Sequence, residues 1–305
     1  LGRVRVVVYD DIDYQPGFQP ISGLRRWIIA RLERFGVRRA DAVISVGERL
    51  ASLRRAQGGR EVQVIPNGVD VERFRAACLA RGVAAPRRPS LIYMGYLGAW
   101  GGVDLILDAA ALAAPRISGL RVILLGHGSP RDLSALRDGI WQRHLDGIVE
   151  FRGEMAYQDL PAQLAKADVG LAMFRPLDLT RYAFPLKVVE YMAAGLPVLT
   201  TEDTEAADLV TRADAGEAAP FDARAVAQRI IALLQDQERY RRYAKNAEVF
   251  SKAYDWEAIM AQYASVLEDR HRTRALPAER ASWLDAGPGS VDSCRVIQAW
   301  DEKQR

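Results

Sequence analysis

Short apolar runs recur along the chain, each set off by a stretch whose apolar positions fall at helical spacing. "VRVVVYD" (4–10), "ADAVISV" (40–46) and "VQVIPNG" (62–68) read as buried strands, with helices predicted at 21–38 and 48–57. Asn67-Gly68 signals a turn, and the rhythm restarts beyond it. "SLIYMG" (90–95), "LRVILLG" (120–126), "GIVEFRG" (147–153), "ADVGLAMF" (167–174) and "LPVLTT" (196–201) read as strands separated by helical segments. Helices predicted at 222–235, 237–250 and 256–270 close this second half. Near-continuous apolar strands alternating with helices are the pattern of parallel sheets covered on both faces. The predicted fold is α/β, with a complete, doubly wound second half.

The first half is shorter. Only 67 residues end at the Asn-Gly turn, against the order of 100 to 150 of a Rossmann-like domain. With leucine as first residue, the expectation is a chain that begins inside its first domain, whose remaining strands are truncated or supplied from elsewhere. The predicted organisation is a partial first domain at 1–67, a second domain at 68–255, a closing helix at 256–274 and a poorly ordered tail at 275–305, where Pro, Gly and Ser replace periodicity.

Composition narrows the classes. A chain of 305 residues, 49% apolar and 27% charged, can bury a sizeable core. A net charge of +3, without interleaved basic and aromatic residues, gives no case for nucleic acid. Cys78 and Cys294, the two cysteines, stand far apart, which fits a reducing compartment and predicts a cytoplasmic protein. No run approaches the roughly 18 to 20 apolar residues of a membrane span, and the first residues lack a signal-peptide layout.

The candidate chemistry starts at "FPLKVVEYMAAGLPVLTT" (184–201). Pro185 suits a first helical turn and Gly195 with Pro197 stops the helix, so it is predicted at about 185–194. Lys187 then faces the positive end of the helix dipole, a penalty of about 0.3 to 1 kcal/mol. That placement points to a bound anion, cradled by the ammonium and free helix amides at the carboxyl edge of the strand ending near Phe174. Glu190, one turn on, shares the face and could accept ribose hydroxyls or steady the lysine. The competing reading is an ordinary surface Lys–Glu pair, worth about 0.2 to 0.5 kcal/mol. A second loop bears on the choice. "YMGYLGAWGGVDLIL" (93–107) carries Gly95, Gly98, Gly101 and Gly102 at a strand-to-helix turn, where glycines let backbone approach a pyrophosphate. "LLGHGSP" (124–130) repeats the design, with His127 between two glycines, although a lone loop histidine is more often a solvated turn residue.

Taken together, "VIPNGVDVERF", "YMGYLGAWGGVDLI", "LLGHGSP", "VEFRGEM", "LAKADVGLAMF" and "PLKVVEYMAAGLPVLTT" resemble the retaining GT-B glycosyltransferases of the large group 1 family (glycosyltransferase family 4-like), from about residue 4 to 270. The resemblance implies two Rossmann-like domains facing a cleft, a nucleotide-sugar donor such as a UDP- or GDP-sugar on the second, a glycan or lipid-linked acceptor on the first, and no cofactor or metal. Residue by residue, Glu190 matches the glutamate that grips the donor ribose and Lys187 a diphosphate-contacting lysine. Arg152, Gly153, Glu154 and Met155 fall at the loop bordering the base. Gly95, Tyr96, Gly98, Gly101, His127, Arg181, Tyr182, Phe184, Pro185, Leu186 and Val188 complete the implied donor-binding set. Three positions depart from the family: Tyr182 where its first glutamate stands, and Tyr96 and Gly101 where many members carry an arginine and a lysine. Either Lys187, Arg181 and the loop amides hold the phosphates, as in exopolysaccharide-type relatives with a "GYLGAW"-like loop, or donor affinity has been lost. The histidines His127, His144 and His271 lie far apart, and no Asp-x-Asp stands in a donor loop.

The implied reaction displaces a nucleoside diphosphate from the anomeric carbon, with Lys187 and helix amides meeting the charge that grows on the leaving group. Asp10, Asp11 and Asp13 in "VYDDIDY" would face the cleft, Asp10 and Asp13 orienting the acceptor; the alternative is turn and cap residues. In "ISGLRRWIIARLERFGVRRAD" (21–41), Leu24, Ile28, Leu32 and Phe35 share a helical face flanked by arginines, with Trp27 at its border. This segment (21–39) either lies on anionic membrane or packs its stripe on the sheet. Two rival functions stand beside transfer: a GT-B nucleotide-sugar epimerase, and a non-catalytic donor-binding remnant or subunit. The donor base, the sugar and the acceptor are not written in these motifs.

Overall fold

Alternating strands and helices assemble into two separate parallel sheets. The computed structural model describes residues 6–17, 22–81 and 89–274; the expected disordered tail lies outside them. In the first half, β1 (Val8–Asp11), α1 (Gly23–Arg39), β2 (Ala42–Ser45), α2 (Glu48–Ala56) and β3 (Val62–Val64) build a sheet of order β1-β2-β3. Val8 pairs with Ala42 and Val43 with Val62, so side-chain alternation gives the sheet two working faces. Tyr9, Val43 and Val62 pack on Val37 and Ala40 at the end of α1.

The second half begins with α3 (Val71–Arg81) and then alternates regularly: β4 (Ser90–Met94), α4 (Val103–Ala113), β5 (Arg121–Leu125), α5 (Pro130–Gln142), β6 (Val149–Phe151), α6 (Leu160–Leu164), β7 (Val169–Ala172). It continues through α7 (Asp178–Tyr182), α8 (Leu186–Ala193), β8 (Val198–Thr201), α9 (Glu205–Ala213), β9 (Gly216–Ala219), α10 (Ala223–Gln235), α11 (Gln237–Ser251) and α12 (Trp256–Arg274). Its six strands are all parallel in the order β6-β5-β4-β7-β8-β9. The chain winds outward from β4, returns to β4's other side with β7 and winds out again, which places the topological switch point between β4 and β7. Two buried clusters cover the faces, one around α4 and α10, the other around α8 and α9. The outermost strand, β9, has too little apolar content in "GEAA" to be read as a strand. It pairs because Gly216 has no side chain: a Cβ there would lie 1.8 Å from the Val198 carbonyl oxygen.

Two packing expectations are corrected. The apolar stripe of α1 does not pack on the sheet: Leu24, Trp27, Ile28, Leu32 and Phe35 are exposed, Leu24 at 69%. The helix instead turns inward a second stripe, Glu33, Gly36, Val37 and Ala40, which a hydrophobicity reading passes over because it begins with a charge. Gly36 lets the Tyr9 ring approach to 3.0 Å of where its Cβ would be. Glu33 is needed inside because Arg54 of α2 is fully buried there, bonded to Asp11 at 2.7 and 2.9 Å and to Glu33 at 3.0 Å. Ser45 adds a hydrogen bond to Asp11 at 3.3 Å. Asp11 is thus a core ion-pair partner, not a cleft residue.

The second correction concerns α12, which crosses back to the first sheet instead of closing the second. Ile259 and Val266 pack on Ala42, Ile44 and Ile65, and Val8 and Tyr263 flank them. The two chain crossings between sheets are stitched together. Val69 donates to Tyr254 O at 2.8 Å, Trp256 donates to Val69 O at 3.2 Å, and Gly68 admits the Trp256 ring. Removing one member of a buried ion cluster leaves uncompensated charge, typically costing about 3–5 kcal/mol. Urea unfolding of Arg54→Leu is expected to show a loss of that order; a loss under about 1 kcal/mol would mean that the cluster is solvated.

Candidate active site

Helix α8 starts one residue later than the sequence suggests. Pro185 is its N-cap, and α7 immediately precedes it as a separate short helix. The free helix amides expected there are partly spent: Leu186 N donates to Phe184 O at 3.1 Å and Val188 N to Pro185 O at 2.8 Å. The Val188 side chain is wholly buried in the core and Leu186 and Phe184 pack beside it. Val188 thus helps to place α8, while Leu186 and Phe184 stay partly exposed.

Lys187 is the exception. Its residue as a whole is partly exposed, but its side chain turns inward, and Nζ is buried with no hydrogen-bond partner. Nζ lies 4.3 Å from the centroid of the Tyr93 ring and 5.2 Å from that of Phe174. Tyr93 is on β4 and Phe174 follows β7, so the ammonium sits at the carboxyl edge of the switch point. Ring faces attract a cation, but far less than the water they replace. Burial accordingly lowers the Lys187 pKa to about 8, against a smaller opposing pull from Glu190.

The glycine loop closes over the same point. A Cβ at Gly95 would meet Lys187 Nζ at 2.7 Å, and Gly95 has φ +134. The Tyr93 hydroxyl donates to Tyr96 O at 2.8 Å, folding the loop back, and a Cβ at Gly101 would fall 2.3 Å from that same oxygen. No lysine fits at Gly101 without reopening the loop. Gly98 is buried beneath the Tyr96 ring. Tyr96 stacks on Trp100 at 5.2 Å and bonds Asp132 of α5 at 2.8 Å. That bond and Ser129 keep the Asp132 carboxyl below its usual range, the Ser129 hydroxyl contributing most. His127 O accepts from Leu97 N at 2.7 Å, while the His127 ring is exposed, 3.9 Å from Glu154.

Glu190 is buried at the same edge. Loss of water raises its pKa to about 7, partly offset by Lys187 and the Tyr157 hydroxyl. Tyr157, on the turn after the "RGEM" loop, was not anticipated; the aromatic three residues past Glu154 was the available signal. Within that loop Arg152 pairs with Glu150 at 2.6 Å and with Gln163, Gly153 O accepts from Gly126 N at 2.8 Å, and Met155 packs on the core. Arg181 and Tyr182 both lie on α7. Arg181 lies 3.8 Å from Asp203, and the Tyr182 ring meets Tyr14 edge-on at 5.0 Å. Tyr182 therefore docks the two halves where a carboxylate was expected.

On the first-half side, Asp10 accepts from Tyr263 of α12 at 3.1 Å, and Asp13 is half-buried past the end of β1. Loss of water raises both carboxyl pKa values, although Asp10 stays open on one side. The structure thus brings Lys187, Glu190, Gly95, Gly98 and Gly101 to one edge, with Tyr96 beside them. Asp10 belongs to the α12 contact. Among the described residues no cluster of three or more His, Cys, Asp or Glu is placed to hold a metal ion, and no helix is long and apolar enough to cross a membrane.

Known proteins share this architecture. Residues 88–236 match the family described as "Glycosyl transferases group 1", and 2–68 match the "Glycosyl transferase 4-like domain". The phosphatidyl-myo-inositol mannosyltransferase of Mycolicibacterium smegmatis (strain ATCC 700084 / mc(2)155) is 28% identical over 211 residues, 69% of this chain and 52% of that protein. The chain thus spans about half the length of the curated relatives it matches. Anabaena HepE in complex with UDP superposes with TM-score 0.72 at 23% identity, covering 86% of this chain and 72% of that one. WaaG, a glycosyltransferase involved in lipopolysaccharide biosynthesis, gives TM-score 0.66 at 19% identity, covering 85% and 74%. The fold is GT-B, with two Rossmann-like parts.

The buried pair sets a pH signature. Between the folded Lys187 pKa of about 8 and the ordinary 10.5, the unfolded chain binds the proton that the folded chain lacks, so this group's contribution to stability rises with pH across that window. Glu190 acts oppositely: from 4.5 to about 7 the folded chain keeps the proton, and stability falls as pH rises. Urea unfolding at stepped pH should give a wild-type minus Lys187→Met difference that climbs between about pH 8 and 10.5. A flat difference contradicts a buried, unpaired ammonium.

Proposed function

We propose that this chain carries the donor-binding part, and the adjoining piece of the acceptor side, of a retaining group 1 glycosyltransferase of the exopolysaccharide type. It moves a hexose from a UDP- or GDP-sugar to a glycan or lipid-linked acceptor. The observation that carries this reading is the Lys187 ammonium, buried without a partner at the switch point beneath a glycine loop. A folded protein tolerates that unsatisfied charge where a ligand supplies the counter-charge, and a diphosphate has the size and sign for this edge. The match to group 1 glycosyltransferases over 88–236, and the UDP named for HepE, support the same donor.

In this reading Lys187 meets the charge that develops on the leaving diphosphate, where a cation already stripped of water stabilises the transition state more than the ground state. Glu190, steadied by Tyr157, accepts from the donor ribose hydroxyls. The loop of Gly95, Tyr96, Gly98 and Gly101 lies over the phosphates, with His127 at its margin; Arg152, Gly153, Glu154 and Met155 border the base. Arg181 reaches the diphosphate on releasing Asp203. Asp13, with Asp10 behind it, orients the acceptor. The leaving phosphate oxygen takes the acceptor proton on the face of departure, so configuration is retained. The nucleotide sugar is the substrate, and no cofactor or metal is called for.

The exposed α1 face adds a cytoplasmic membrane contact to the proposal. Leu24, Ile28, Leu32 and Phe35 lie open between Arg25, Arg31, Arg34, Arg38 and Arg39, and Arg31 stacks on Trp27. The one acid of the helix, Glu33, is buried on Arg54. Anionic lipid complements this surface, whereas a second copy would set arginine against arginine.

Two experiments test these statements. UDP or GDP should raise the melting temperature of the wild type and leave Lys187→Ala unshifted, and the matching nucleotide sugar should release nucleoside diphosphate only when acceptor is added. Equal shifts in both proteins remove Lys187 from the site; epimerised sugar or binding without turnover supports the rival readings. In co-sedimentation, vesicles with phosphatidylglycerol should retain the protein, neutral vesicles should not, and Leu32→Gln/Phe35→Gln should abolish retention. Binding indifferent to lipid charge contradicts the membrane contact.

A further inference from the structure

Helix α2 begins without a cap of its own. Its N-cap is Gly47, extended at φ −148 and ψ 160, with no side chain to accept from the first helical amides. An uncapped N-terminus that is shielded from water is costly, because those amides have no intrahelical partner. Here the acceptor comes from the other half of the molecule. Glu205, the first residue of α9, accepts from Glu48 N at 3.0 Å and from Arg49 N at 2.9 Å across 157 and 156 positions of sequence. It is 3% exposed. Gly47 is what permits the approach: a Cβ there would lie 2.8 Å from Glu205 Cδ.

The same two helices are bound again one turn along. Arg49 Nε and Nη2 reach the two oxygens of Asp208 at 2.5 and 3.1 Å, and Arg49 lies 3.9 Å from Asp203. A planar guanidinium gripping both oxygens fixes orientation as well as distance. The seam continues on α7, where Gly17 fits against Leu179 and Tyr14 against Tyr182.

We infer that Glu205 is an interlobe latch: it supplies from the second half the N-terminal cap that α2 of the first half lacks, so capping of α2 and closure of the cleft are made and lost together. A carboxylate on helix amides satisfies hydrogen bonds and opposes the helix dipole at once. When the lobes part, both the carboxylate and the amides must return to water, and the closed arrangement is favoured by the difference. Domain closure of this kind is set by a few contacts at the seam, and changing them shifts the populations of open and closed forms. The inference stands on the seam alone, whatever ligand the cleft holds.

The test separates local capping from closure. In Glu205→Ala, hydrogen exchange at the Glu48 and Arg49 amides should quicken about tenfold or more, and the radius of gyration by small-angle scattering should rise. In Gly47→Ser/Glu205→Ala, a local serine cap replaces the lost acceptor, so slow exchange at α2 should return while the molecule stays open. Should Glu205→Ala fail to fold, Glu205→Gln, which keeps one acceptor oxygen, should show the same changes at smaller size. Unchanged scattering in the folded Glu205 variants, or closure restored by Gly47→Ser, overturns the latch.

Discussion

The Lys187 ammonium, enclosed by aromatic rings and glycine backbone without a hydrogen-bond partner, is the constraint around which the second half is arranged. Two ring faces offset only part of the lost hydration, which is why the group's proton affinity falls. Gly95 and Gly101 have no room for side chains, Tyr93 folds the loop back over them, and the ammonium lies at the carboxyl edge of the paired strands β4 and β7. Each feature keeps water from the ammonium.

The first half is tied to the second by side chains and by chain crossings. Arg54 draws Asp11 and Glu33 into its core, which orients α1 and leaves Tyr14 to meet Tyr182. α12 returns to cover the sheet's other face, and the crossings at Gly68–Val69 and Tyr254–Trp256 bond to each other. The two halves therefore share one double crossing and one seam.

Much of this was legible in the sequence, for identifiable reasons. Strands β1 to β8 are apolar enough to announce themselves, and a lysine in the first turn of "PLKVVEYM" contradicts the helix dipole strongly enough to be noticed. What escaped notice involved residues acting outside their usual class. Glu33 and Gly36 form the inward face of α1 because a buried arginine and a tyrosine ring demand them, and hydrophobic periodicity cannot see such a demand. Strand β9 depends on the absence of a side chain at Gly216. Val188, included through the family resemblance, turns its side chain into the core, because helical geometry sends neighbouring side chains to different faces. The contact of Tyr182 with Tyr14 is visible only once both halves are in place.

The proposed role of Lys187 in meeting a donor's negative charge is measured most directly by the protonation of that one amine. Lysine-labelled NMR titration should find Lys187 near pH 8 in the free protein, rising toward or beyond the ordinary lysine value of about 10.4 when UDP or GDP is bound. A Lys187 that titrates like a solvated lysine, unchanged by nucleotide, would contradict the account.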